Sequence, residues 1–145
     1  MSKFVLDTKT LSEDFFEDAR LLGIMAPLDD YKFCHLLNLN LGTDFRINNE
    51  LEIQLIKKNR DYFFSIYEYC APSISLEYYI YNNHYDGEYL LPELKHLDYL
   101  WLLKGDVVSN DSFHLLAENI RTIDAVQLVV ELTNEKIKHK SHLVF

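Results

Sequence analysis

The segment Leu91–Gly105, LPELKHLDYLWLLKG, decides the fold because it joins a proline-led corner to one of the most apolar stretches of the chain. Pro92 has a restricted φ and no N–H group, which suits the first position of a helical turn. Glu93 follows at a position where the helix dipole favours a carboxylate. We therefore predict that PELKHL forms one short turn, which redirects the chain into a strand over Asp98–Leu103.

Upstream of this corner, three short segments predict an antiparallel meander. They are rich in aromatic and β-branched residues and are separated by polar or proline-containing turns. A further turn is predicted at Asp86-Gly87, followed by a strand that ends at Pro92. The three segments are LEIQLI, DYFFSIYEY and SLEYYIYN, at residues 51–56, 61–69 and 75–82.

The amino-terminal part predicts a strand followed by a helix. DARLLGIMAPL is apolar almost without interruption and stops at Pro27, which favours a strand over Ala19–Met25. Aspartates then precede a periodic apolar run that stops at Gly42. We expect a helix from Asp30 to Asn40.

The carboxyl-terminal part predicts a helix followed by a strand. Asn110 or Asp111 can cap a helix that carries Phe113 and Ile120 on its apolar face. AVQLVVELT, at residues 125–133, is β-branched enough to be a buried strand. The chain as a whole predicts an α+β fold: a mainly antiparallel β-sheet with two helices packed on one face.

Length and composition predict one soluble, cytoplasmic domain. The 145 residues fit a single core, and 48% hydrophobic content with only three prolines leaves no linker, so we expect one domain over 1–145 with frayed ends. Met1–Leu11 lacks the pattern of a secretory signal, and no run reaches the roughly 20 apolar residues of a membrane span. Cys34 and Cys70 show no metal-ligand spacing and are interpreted as buried thiols.

The formal charge of −9 makes nucleic acid a poor partner, because affinity for phosphate comes mainly from lysine and arginine. The basic residues are also dispersed along the chain and form no clear electrostatic footprint. A protein partner or a second copy of the chain is therefore the expected kind of partner.

The residues Leu91–Tyr99, LPELKHLDY, resemble the motif for which the IPExxxVDY family of small bacterial proteins is named. Leucine replaces isoleucine at Leu91 and valine at Leu97, and the other signature residues match. The resemblance extends to the early strand ending in a proline, the aromatic helix, the tyrosine-rich middle and LLKG after the motif. It implies one IPExxxVDY-like domain over the whole chain and supplies no assigned activity and no catalytic residues.

The residues themselves predict no catalytic, metal or cofactor site. Glu93 and Asp98 with His96 would need to converge on one pocket for acid/base work, whereas the proline and helix-dipole argument explains this turn structurally. The six histidines fall on different predicted elements, and only His139 and His142 form an HxxH pair, near a terminus. Four isolated glycines provide no phosphate-binding loop.

The unusual feature is the number of tyrosines in the meander. Strand alternation places aromatic rings on both faces of the sheet, and helices can cover only one of them, so several tyrosines are expected to stay partly exposed. Tyrosine is enriched at protein interfaces. Two alternatives are that cross-strand pairs simply stabilise the sheet, or that the rings stack on single-stranded nucleic acid. The candidate rings are Tyr67, Tyr69, Tyr79 and Tyr81.

These patterns favour a non-enzymatic protein-interaction or assembly module, such as a homo-oligomer or an accessory subunit. Its docking surface would combine the tyrosine-rich face with Glu93, Lys95 and the Asp98-Tyr99 pair. The alternatives are a small-molecule-binding or enzymatic domain with an unrecognised pocket, and an RNA-associated accessory factor. The apolar end Leu143–Phe145 is predicted to dock, either on this domain or on a partner.

Overall fold

The computed structural model describes residues 19–57, 59–70, 76–105, 109–133 and 137–145. Met1–Leu11, for which no secretory signal is predicted, and the predicted frayed amino end lie outside the described residues. Among the described residues, neither helix has the length and apolar character needed to cross a lipid bilayer.

Ten strands and helices make up the described fold, together with two 3-10 turns. The first 3-10 turn is Pro92–Leu94 and the second is Lys140–Leu143. The strands and helices in chain order are β1 Ala19–Met25, α1 Asp30–Leu41, β2 Arg46–Lys57, β3 Arg60–Cys70, β4 Leu76–Asn82, β5 His84–Tyr85, β6 Glu88–Tyr89, β7 Tyr99–Gly105, α2 Asn110–Arg121 and β8 Leu128–Glu131.

Six strands form one sheet in the order β2-β3-β4-β7-β1-β8, in which every neighbouring pair is antiparallel. Strand β7, which follows the corner, therefore lies inside the sheet between β4 and β1. Its Leu102 stands opposite Tyr79 on one side and Leu21 on the other. The predicted α+β fold and antiparallel meander are confirmed.

Helices α1 and α2 cover one face of the sheet. Phe33 and Leu37 from α1 and Phe113 and Ile120 from α2 share a buried cluster with Trp101 of β7. The prediction of two helices on one face is confirmed. Each apolar stripe is buried against the sheet, which is the main source of stability for helices of this length.

The opposite face is covered by two segments. The first is the corner, residues 91–98, and the second is the terminal segment, residues 137–145. Leu91 and Leu97 of the corner and Leu143 of the terminal segment pack in one cluster with Leu100 and Leu102 of β7. Because both faces are covered, consecutive residues of β7 are buried irrespective of which way they point. This explains why YLWLL is apolar without alternation.

Gly23 lets the corner approach the sheet closely. A Cβ atom at this position would lie 2.3 Å from Cδ1 of Leu97 and 3.2 Å from Cδ1 of Leu132. A glycine inside a strand commonly marks such a close approach. The position of Gly23 in β1 is therefore tied to the packing of the corner.

The local sequence signals predict the ends of α1 well and the start of α2 less well. Helix α1 begins at Asp30 as predicted and ends at Leu41, followed by Gly42 with φ 70°. The predicted cap of α2 is wrong: Ser109, rather than Asn110 or Asp111, accepts the N–H of Ser112, at 3.1 Å. Ser109, which precedes both candidates, has the extended backbone that a cap requires.

The turn at Asp86-Gly87 is confirmed, with φ of 49° and 85° as a two-residue hairpin requires. The strand after it ends at Tyr89 rather than at Pro92. Leu90 and Leu91 instead turn inward and are fully buried. The strand predicted at 125–133 is likewise confined to Leu128–Glu131.

The two cysteines differ in environment. Cys34 is buried in α1, and burial, with a contribution from Asp30, raises the pKa of its thiol to about 12. Cys70 is exposed at the end of β3. The interpretation of both as buried thiols is therefore wrong for Cys70, because the strand leaves the core before this residue.

Candidate functional site

Asn83 holds the corner together, although the sequence patterns did not single it out. Its side chain is fully buried and makes three hydrogen bonds to the corner backbone. Nδ2 donates to the carbonyl oxygens of Leu94 (3.1 Å) and Leu97 (2.9 Å), and Oδ1 accepts from the N–H of Leu91 (2.8 Å). An asparagine between a strand and a hairpin resembles an ordinary turn residue, so its sequence position gave no distinguishing signal.

The backbone of Asn83 adds two further bonds at the same place. Its N–H donates to the carbonyl of Asp98 at 3.0 Å, and its carbonyl accepts from Leu90 at 2.9 Å. The end of β4 is thus connected to both ends of the corner. Hydrogen bonds therefore join the corner to the sheet at both of its ends.

Glu93 connects the corner to the terminal segment. Its Oε2 accepts the N–H groups of Lys138 (2.6 Å) and His139 (2.8 Å), and its Oε1 accepts from Nδ1 of His139 at 2.8 Å. Only 10% of the Glu93 side chain is exposed. Glu93 therefore holds the terminal segment in place and is not presented to solvent, in contrast to the predicted docking role.

These contacts set the ionisation of two groups. Burial alone would raise the pKa of Glu93, but hydrogen bonds from backbone N–H groups and from His139 outweigh it and lower the pKa to about 2. The pKa of His142 is lowered, mainly by burial, while its Nδ1 donates to the carbonyl of Leu90 at 2.7 Å. Both shifts favour an attached terminal segment at neutral pH over acid pH.

We expect Glu93→Gln to be less stable than the wild type at neutral pH and to lose less stability on acidification. The folded-state pKa of about 2 lies below the ordinary value of 4.5, so the carboxylate contributes stability that is present above pH 4.5 and is lost as the pH falls towards 2. The contribution is on the order of 2 to 3 kcal/mol. Urea unfolding at a series of pH values measures it.

Glu50→Gln, at an exposed position of the edge strand β2, is the matched control and should follow the wild-type pH dependence closely. If the wild type and Glu93→Gln lose the same amount of stability between pH 4.5 and pH 2, the assigned role of Glu93 is contradicted.

Asp98 and Tyr99 are held by the chain between β1 and α1. Oδ2 of Asp98 accepts the N–H of Ala26 at 2.8 Å. The Tyr99 ring stacks on Phe33 at 4.4 Å, and its hydroxyl donates to the carbonyl of Leu28. Burial, followed by the nearby aspartates, raises the pKa of Tyr99, so the hydroxyl stays protonated as a donor.

The predicted tyrosine docking face is covered. Tyr67 is buried and Tyr69 half-buried on the helix side, and Tyr79 and Tyr81 are buried on the other side. The Tyr81 hydroxyl donates to the carbonyl of Leu143 at 2.7 Å. The expectation of partly exposed rings is wrong for Tyr79 and Tyr81, because the corner and the terminal segment cover the face that the helices leave open, and for Tyr67, which is buried on the helix side. Tyr69 is partly exposed.

Lys95, by contrast, is exposed on the corner. The most exposed tyrosines are Tyr31 and Tyr85, with 59% and 43% of their surface accessible. Neither belongs to the predicted set. Their exposure has a local reason, since Tyr31 lies in the first turn of α1 and Tyr85 next to the tip of the hairpin.

An acidic pocket lies at the end of the corner, with a volume of about 170 Å³. Three aspartates line it: Asp29 and Asp30 at the start of α1, and Asp98. The hydroxyl of Tyr67 donates a hydrogen bond to Asp30, and burial is the main cause of the raised pKa of Tyr67. The lining residues are Leu28, Asp29, Asp30, Asn82, His84, Asp98 and Tyr99.

The carboxylates considered for acid/base chemistry bind different parts of the chain. Glu93 binds the terminal segment, and Asp98 binds Ala26 after β1. His96 is exposed on the corner. Within the ranges that the structure describes, no group of three or more His, Cys, Asp or Glu side chains is arranged to hold a metal ion.

Comparison of the chain with protein-family models and with curated protein sequences returned no match. The resemblance of LPELKHLDY to the IPExxxVDY motif therefore stays a proposal.

Proposed function

We propose that this protein is a non-enzymatic interaction module, an accessory subunit of a bacterial cytoplasmic assembly, which docks a protein partner through the acidic pocket. The partner would insert a lysine or arginine side chain between Asp29, Asp30 and Asp98. The observation that carries the proposal is that these three aspartates line one small cavity.

The size and charge of the pocket favour a side chain over a metabolite. Pockets for drug-sized ligands usually start at about 300 Å³, and this one has about 170 Å³. The carboxylates, together with a net charge of −9, attract a basic partner and repel the phosphates of RNA. A protonated side chain is therefore a better fit than either alternative.

The walls of the pocket are preorganised. Asp98 is held by the N–H of Ala26, and Tyr99 is held by Phe33 and by the carbonyl of Leu28. Little conformational freedom remains to be lost when a partner binds, which lowers the entropic cost of association. Asp98-Tyr99 also ends the LPELKHLDY motif, so the proposed family membership and the proposed docking site involve the same residues.

Exposed aromatic rings adjoin this site in sequence. Tyr31 directly follows Asp30, and Tyr85 directly follows His84. Tyrosine is among the residue types enriched at binding hot spots. In this proposal the tyrosine contribution comes from these two rings, while the buried rings of the sheet support the fold.

We expect Asp30→Asn and Asp98→Asn each to weaken partner binding by about 2 kcal/mol, roughly thirtyfold. Asparagine keeps an acceptor oxygen for Ala26 or Tyr67, so the melting temperature should stay near the wild-type value. The partner is identified by co-purification and mass spectrometry, and its affinity is then measured by calorimetry at two salt concentrations. Asp124→Asn, an exposed aspartate outside the pocket, is the control.

N-acetyl-arginine methylamide serves as a defined probe of the pocket. It should shift the amide NMR signals of Asp29, Asp30 and Asp98, whereas N-acetyl-glutamine methylamide should not. Unchanged partner affinity in both asparagine variants would reject the pocket as the docking site. Loss of a metabolite-converting activity with intact partner binding would favour the enzyme alternative.

A further inference from the structure

A second cavity lies between the carboxyl-terminal ends of the two helices. Its volume is about 340 Å³, which falls within the range typical of small-molecule sites, about 300 to 1,000 Å³. One wall comes from the end of α1, another from the last turns of α2, and the third from β4. The lining residues are Asn40, Leu41, Thr43, Tyr78, Leu116, Asn119 and Thr122.

The lining of this interhelical cavity contains no charged side chain. It combines two side-chain amides, three hydroxyl groups and two leucines. Helix carboxyl ends carry carbonyl groups without intrahelical partners and a partial negative charge. The cavity therefore disfavours a phosphate or a carboxylate, and because its lining offers a cation no charged partner, it suits a neutral ligand with hydrogen-bond donors.

Hydrogen-bonding capacity remains at the cavity wall. Among the described residues, neither the Asn119 amide nor the Tyr78 hydroxyl makes a side-chain hydrogen bond. Thr43 donates to Oδ1 of Asn38 and Thr122 donates to the carbonyl of Asn119, so both hydroxyl oxygens keep lone pairs as acceptors. The wall offers both donors and acceptors to a ligand.

The apolar part of the cavity is rigidly supported. The Tyr78 ring packs against Trp101 at 5.4 Å and against Tyr69 at 6.0 Å. Leu41 and Leu116 pack against the same core. An apolar surface edged by amides and hydroxyls suits a compact molecule that has both an apolar face and several hydroxyl groups.

We propose that the interhelical cavity binds a small, uncharged, polyhydroxylated molecule of about the size of a monosaccharide. The interhelical cavity shares no lining residue with the acidic pocket. Ligand binding there does not depend on the proposed docking function. It adds a ligand-binding role to the helix-covered side of the sheet.

The test is an NMR titration of the full chain with neutral and charged probes. D-glucose, D-galactose and myo-inositol are the neutral probes, and D-glucuronic acid is the charged one. At least one neutral probe should give saturable shifts of the amide signals of Thr43, Asn119 and Thr122. D-glucuronic acid should bind more weakly, because the partial negative charge at the helix carboxyl ends disfavours its carboxylate.

Asn119→Ala should reduce the affinity of the neutral probe about fivefold, the effect expected for one lost hydrogen bond. Alanine is a good helix former, so α2 should remain intact. Asn49→Ala, at an exposed position of β2, should bind like the wild type. The proposal is overturned if no neutral probe gives saturable shifts at these residues, if D-glucuronic acid binds equally well, or if Asn119→Ala has wild-type affinity.

Discussion

Asn83→Ala is expected to lower the free energy of unfolding by about 3 kcal/mol or more. The substitution removes the side-chain acceptor from the buried N–H of Leu91 and the side-chain donor from the carbonyl of Leu97, while the carbonyl of Leu94 keeps the N–H of Leu97 as its donor. Each buried group that loses its partner costs about 1 to 3 kcal/mol. Urea unfolding followed by circular dichroism measures the change.

Asn83→Asp provides a sharper test of the same geometry. An ionised carboxylate has no donor and would face the two carbonyl oxygens that now accept from Nδ2. We expect this variant to be less stable than Asn83→Ala at neutral pH and to recover part of the difference on acidification, because a protonated carboxyl regains one donor.

Asn49→Ala, in the edge strand, is the control for the loss of an asparagine side chain and should change stability by less than about 0.5 kcal/mol. A result in which Asn83→Ala is as mild as this control would mean that the hydrogen bonds of Asn83 do not hold the corner.

Leu143→Ala is the second substitution with a large expected effect, a loss of about 2 to 5 kcal/mol in the free energy of unfolding. Leu143 is fully buried among residues of the corner and the sheet. Its carbonyl also accepts the Tyr81 hydroxyl, so removal of residues 141–145 should be more damaging still by leaving that hydroxyl without its acceptor. The readout is the melting temperature, together with the exposure of Tyr79 and Tyr81 to solvent.

Leu39→Ala is a matched control for Leu143→Ala, since the same atoms are deleted from a side chain that is 68% exposed instead of fully buried. Alanine also favours the helix at that position. Equal stability of the Leu143→Ala variant and the wild type, with unchanged tyrosine exposure in the truncated chain, would show that the terminal segment is not part of the core.

The sequence by itself determined the elements that short-range chemistry controls. The strand Ala19–Met25, the stop of α1 at Gly42, the hairpin at Asp86-Gly87 and the turn after Pro92 all follow from residues within a few positions of each other. Backbone restriction at proline and glycine, together with period-two alternation, acts locally. The antiparallel α+β arrangement follows from the order of these elements.

Only the tertiary structure decided what covers each surface and which polar groups meet. Alternation shows that Tyr79 and Tyr81 share a face, but it does not show that the terminal segment, more than 60 residues away in the case of Leu143 and Tyr81, covers them. Likewise, no local pattern shows that Glu93 contacts His139, which lies 46 positions away along the chain. Such contacts depend on how the whole chain closes on itself, because their partners are brought together by burial of apolar surface, which is non-directional and leaves no local pattern in the sequence.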